Sequence, residues 1–65
     1  MTEDYLRVEE AAAKLDIGRT LAYRLARRGE LPGVVRWGRL LRVHRATLEA
    51  EMARRAAGSL EAASP

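Results

Sequence analysis

Sixty-five residues make one small domain, and a chain this short buries only roughly 60% of its unfolded surface, too little for both a large core and an enclosed catalytic pocket. There is no cysteine, which excludes a disulfide framework and a thiolate metal site, and no apolar run approaches the roughly 20 residues a membrane span needs. The net charge of +3 is unevenly placed: residues 19–45 carry eight arginines against Glu30 alone, a local +7, while residues 1–18 and 46–65 are net acidic. Every cation of that middle block is arginine, whose planar guanidinium makes bidentate contacts to phosphate and guanine that lysine cannot reproduce.

Residues 1–4 read as a frayed N-terminus. Thr2-Glu3-Asp4 is acidic where a secretory leader would be basic, so a cytoplasmic protein is expected. Tyr5-Leu6 reads as an extended lead-in that covers the core. A first helix is predicted from Val8 to Leu15, with Glu9 and Glu10 in its first turn, where carboxylates suit the helix dipole. Val8, Ala11, Ala12 and Leu15 fall at i, i+3, i+4 and i+7 and form one apolar face. Arg7 is a poor cap, so this helix is expected to start weakly.

Asp16-Ile17-Gly18 reads as a tight turn, with Ile17 plugging the core and Gly18 capping a second helix over Arg19–Arg28. Gly29 ends that helix. Leu21 and Leu25, with Ala22, are expected as its buried stripe. Thr20, Tyr23, Arg24 and Arg27 then form an opposite stripe able to hydrogen-bond base edges and phosphates. Tyr23 has a rival role, covering core surface with only its hydroxyl exposed. Two short helices around a glycine-containing turn, the second of them basic, read as a DNA-binding helix-turn-helix.

Glu30-Leu31-Pro32-Gly33 reads as a connector. Val34–Trp37 and Leu41–Val43, around Gly38, read as a β-hairpin. A three-residue loop, Gly38-Arg39-Leu40, sets Trp37 opposite Leu41 and Val35 opposite Val43. That register gathers the four apolar side chains on a core-facing side, with Arg36 and Arg42 on the other and Arg39 at the tip. A two-residue Gly38-Arg39 loop pairs Val35 with Arg42 and spoils the separation, so the longer loop is expected. His44 closes the second strand. Arg45 to Ala57 reads as a third helix with Leu48 and Met52 facing the core, Gly58 as terminator, and residues 58–65 as a flexible tail. The domain proper is thus residues 5–57, mainly α with a small hairpin.

The series Tyr5-Leu6, Val8-Glu9-Glu10-Ala11-Ala12, Leu15, Ile17-Gly18, Leu21-Ala22-Tyr23-Arg24-Leu25, Arg28-Gly29-Glu30-Leu31-Pro32, Gly38-Arg39, Arg42-Val43 and Leu48 closely resembles the excisionase-like winged helix-turn-helix domain, related to the DNA-binding domain of MerR-type regulators. The resemblance spans about residues 5–53. It departs at Arg7 and Gly18, where members usually carry Ser or Thr. It implies the second helix in a major groove and the hairpin as a wing on the backbone or minor groove. Family members include recombination directionality factors, phage terminase small subunits and small transcription regulators.

The expected contacts to double-stranded DNA are therefore Arg19, Thr20, Tyr23, Arg24, Arg27 and Arg28 on the second helix and Arg36, Arg39 and Arg42 on the wing. His44 and Arg45 are candidate phosphate contacts, His44 alternatively a helix cap. Cooperative self-association on DNA is expected, because one recognition helix and a small wing discriminate weakly alone. The alternative is an interaction module whose third helix recruits an integrase, a terminase large subunit or a polymerase. A lone histidine with no cysteine builds no zinc site, and no nucleophile–base pair or phosphate-binding glycine loop is present. A non-enzymatic protein without metal or cofactor, and without a membrane partner, is expected.

Overall fold

A computed structural model describes residues 4–63, and the side chains of residues 4–58. In chain order the elements are β1 (Tyr5–Leu6), α1 (Val8–Leu15), α2 (Arg19–Arg28), β2 (Val34–Trp37), β3 (Leu40–His44) and α3 (Arg45–Ala63). The strands form an antiparallel sheet in the order β1-β3-β2. Three helices with a sheet hairpin beside a helix-turn-helix make a winged helix-turn-helix. The lead-in Tyr5-Leu6 is thus a strand, paired to His44 and Val43.

Both short helices end in the same device. Asp16 N–H donates to Ala13 O and Ile17 N–H to Ala12 O; Gly29 N–H donates to Ala26 O and Glu30 N–H to Leu25 O. These are paired Schellman bonds, which reverse the chain sharply and set α2 across α1. Asp16 adopts φ 56, the one non-glycine residue at positive φ among those described. The start of α1 is firmer than Arg7 suggests, because Glu10 Oε1 accepts the Arg7 backbone N–H at 2.8 Å, half of a capping box.

The core is Val8, Ala11 and Ala12 from α1, Ala22 and Ala26 from α2, Leu31, Val43 and Leu48. The α1–α2 seam is therefore built from four alanines, and this rolls α2 away from the expected stripe. Ala22 and Ala26 are buried, Leu25 packs at the margin, and Leu21 is 41% exposed. A leucine at the centre of so close a seam has no room; at its edge it does. Leu31, read as part of a connector, is a core residue, folded inward directly after the Schellman turn.

The hairpin register differs by one residue from the expectation. Val34 faces Val43, Val35 faces Arg42, Arg36 faces Leu41 and Trp37 faces Leu40, so the turn is the two-residue Gly38-Arg39. Gly38 at φ 62 takes the first turn position, the place a II′ hairpin reserves for glycine. Cross-strand partners share a face and alternate residues oppose. Leu6, Val34, Leu41 and Val43 thus face the core, joined by Arg36 at the outer end, while Tyr5, Val35, Trp37, Leu40, Arg42 and His44 face outward. Trp37, expected in the core, is 60% exposed. Gly33 contributes to this choice: His44 N–H donates to its carbonyl at 2.7 Å, and a Cβ at Gly33 (φ +81) would lie 2.7 Å from His44 O. That close approach anchors the base of the hairpin with Val34, not Val35, on the core side.

Helix α3 begins where β3 stops. Lys14 Nζ and Glu49 Oε2, 2.9 Å apart, tie α3 to the end of α1. The helix continues through Gly58, the expected terminator, to Ala63; glycine weakens a helix interior by roughly 1 kcal/mol but does not break it. The remainder of the expected tail, residues 64–65, and the first three residues lie outside the described part.

Candidate nucleic-acid interface

The outward face of α2 carries Thr20, Arg24, Arg27 and Arg28, all exposed, and Arg19 is exposed beside α1. With Ala22 and Ala26 at the bottom of the helix, Arg24 lies nearly opposite the seam, at the crest, flanked by Thr20 and Arg28. Helix α2 holds no acid from Arg19 to Arg28, so nothing on it competes for these guanidiniums.

Tyr23 departs from the expected stripe. It packs partly buried against the core, and its hydroxyl donates to Glu9 Oε2 on α1 at 2.6 Å. Arg19 Nη2 lies 3.5 Å from the same oxygen. The Arg19 and Arg27 guanidiniums each stand 5.7 Å from the Tyr23 ring centroid, within cation–π range. The Tyr23 hydrogen bond, with one from the backbone, holds the Glu9 carboxyl below the usual glutamate range. The same bond to Glu9, together with burial, raises the Tyr23 phenol. Tyr23 is thus a pedestal: it spends its proton on Glu9 and offers its ring to two arginines. Glu9, which the sequence marks only as a first-turn carboxylate, is the residue that orients it. Its position in the first turn of α1, facing a basic second helix, is the signal that could have found it.

The wing arginines are not gathered on one face. Arg39 is in the turn and exposed; Arg36 is exposed on the core-facing side; Arg42 is half-buried on the other, its Nη1 donating to Leu41 O at 2.8 Å. His44 shares a hydrogen bond through Nδ1 with Thr47 Oγ1, 2.7 Å, one turn into α3, and its ring lies 5.4 Å from that of Tyr5. It stands just before the first residue of α3, and its ring bonds a side chain of that helix. Arg45, half-buried, lies 3.4 Å from Glu49. Among the described residues no group of three His, Cys, Asp or Glu side chains could hold a metal ion, and no helix is long and apolar enough to cross a membrane.

A family model described as a helix-turn-helix domain matches residues 5–56. The chain belongs to that family. No curated protein and no solved structure matches it. In this DNA-binding helix-turn-helix, α1 and α2 are the two helices of the motif and Asp16-Ile17-Gly18 is its turn. The matched span also takes in the wing and α3 as far as Ala56.

Proposed function

We propose that this helix-turn-helix protein is a sequence-specific binder of double-stranded DNA that acts without catalysis, with α2 in the major groove and the β2–β3 wing on the adjacent backbone or minor groove. The observation that carries this reading is the crest of α2: Arg24 between Thr20 and Arg28, with Arg19 and Arg27 set on the Tyr23 ring, on a helix with no acid. Arg24 reads a base edge, and the flanking arginines meet phosphates. The biological role that fits so small a module is that of an excisionase-type recombination directionality factor or a small transcription regulator, with several protomers side by side on repeated sites.

Anisotropy of a labelled duplex, selected from a random pool and titrated at several salt concentrations, tests the reading. With about five phosphates neutralised, log K against log salt falls with a slope near −4 to −5. A slope near zero, or no binding at low salt, overturns it.

One observation favours a second reading as an interaction module. An open groove of about 610 Å³ runs between α2 and α3, lined by Leu15, Ile17, Leu21, Leu25, Met52 and Ala56 among others. It would seat an apolar segment of an integrase, a terminase large subunit or a polymerase. Leu21→Gln or Met52→Gln that keeps full duplex affinity and yet loses function in the host would favour this reading.

A further inference from the structure

The wing carries an apolar pair that the core does not use. Trp37 and Leu40 are partners in the β2–β3 ladder, the last pair before the turn. They project from one face, 60% and 49% exposed, and Val35 and Tyr5 continue that face toward the base of the sheet. Single exposed apolar residues are ordinary. A tryptophan and a leucine paired at the end of a hairpin form a patch, and patches mark contact surfaces.

Charge indicates what covers it. Residues 31–48 contain Arg36, Arg39, Arg42 and Arg45 and no Asp or Glu. Arg39 sits in the turn between the two apolar residues, and Arg36 and Arg42 lie within two residues of them. A wing-to-wing contact with a second copy of this chain would set these cations against themselves. A duplex nucleic acid does the reverse: its phosphates meet the arginines and its stacked bases meet the apolar pair.

Resting on the duplex-DNA reading above, we infer that Trp37 and Leu40 form a wedge that enters the minor groove and packs into a base step, with Arg39 of the turn on a flanking phosphate. The minor groove, about 6 Å wide, admits the side chains of a hairpin tip but not the whole ribbon. Apolar wedges of this kind partly unstack a step and kink the duplex. Pyrimidine–purine steps yield most easily, so the wing reads deformability where α2 reads base edges.

Trp37 is the only tryptophan in the chain, so its emission reports its surroundings without an added probe. Two quantities are followed as the full chain is titrated with a pool-selected duplex: Trp37 emission with acrylamide accessibility, and end-to-end energy transfer in a doubly labelled duplex. On binding, the emission is quenched and shielded, and the duplex ends approach. Trp37→Ala keeps its thermal melt, loses roughly 5- to 150-fold in duplex affinity, the range for one base–aromatic stack, and leaves the duplex straighter. Leu40→Ala does the same more weakly.

Binding without change in Trp37 emission overturns the wedge and leaves the DNA-binding reading standing. So does a bend that neither variant reduces. Shielding of Trp37 that grows with protein concentration in the absence of DNA, with a dimer in sedimentation, overturns it in favour of a second copy. Absence of binding to any duplex removes both readings together.

Discussion

The α1–α2 seam and the wing use apolar residues in opposite ways. The seam buries Ala11, Ala12, Ala22 and Ala26, among the smallest apolar side chains in the chain, almost completely, while the wing leaves Trp37, the largest, 60% exposed. Burial here follows position in the fold and not hydrophobicity. Small side chains at i and i+4 let two helix backbones approach, so little area per residue still makes a close-packed interface. A two-stranded ribbon has two faces and only one core to cover, so its second face meets solvent whatever it carries.

The contrast is broken most directly by truncation on each side. Leu48→Ala, at a fully buried position, is expected to cost about 2–5 kcal/mol, enough in a domain this small to unfold it at ambient temperature. Trp37→Ala should change stability by less than about 0.5 kcal/mol, as for other exposed substitutions. Thermal melts followed by circular dichroism check both, and a Trp37→Ala variant that melts like Leu48→Ala would put the indole back in the core.

On the DNA side, Arg24→Ala is expected to lose roughly 1–3 kcal/mol on a cognate duplex and to relax discrimination at one base position. Arg39→Ala should weaken all duplexes about equally and reduce the salt slope by about one. Competition with mismatched sites separates the two; equal losses for Arg24→Ala on cognate and random DNA would reduce it to a phosphate anchor.

A smaller effect sharpens the comparison within the seam. The two Schellman turns differ in that Gly29 ends α2 whereas Asp16 ends α1 at φ 56. Asp16→Gly removes the side-chain penalty of that region at some cost in unfolded-state entropy. A gain of up to about 1 kcal/mol in the melt is expected, and a loss would show that the Asp16 side chain itself holds the turn.

The smallest effect is set by pH. Hydrogen bonds first from Arg54 and then from Arg55 hold the Glu51 carboxyl down to about 2, from 4.5 unperturbed. A depressed carboxyl stabilises the fold above its unfolded value and ceases to as it protonates. This increment is therefore full above about pH 4.5 and lost between there and pH 2. It is slight, because the pairs are exposed. Glu51→Gln should flatten that part of the acid-stability profile without altering stability at neutral pH by more than the same increment.

The sequence alone determined the helix-turn-helix. Local rules suffice for it: the 3.6-residue apolar spacing of Val8, Ala11, Ala12 and Leu15, the turn at Asp16-Ile17-Gly18 and the stop at Gly29 each act within a few residues. The arginines of α2 were legible for the same reason, as was the existence of a hairpin around Gly38. Three features were decided only by the assembled fold. The roll of α2 about its axis depends on what α1 can accommodate, and alanine against alanine outcompetes leucine, bringing Leu21 out and Tyr23 onto Glu9. The wing register depends on Gly33 meeting the His44 backbone and on β1 pairing with β3, contacts remote in sequence that outweigh the tidier separation of apolar and basic faces. The continuation of α3 past Gly58 belongs with them, for a glycine's cost of roughly 1 kcal/mol is a preference that the rest of a 19-residue helix overrides.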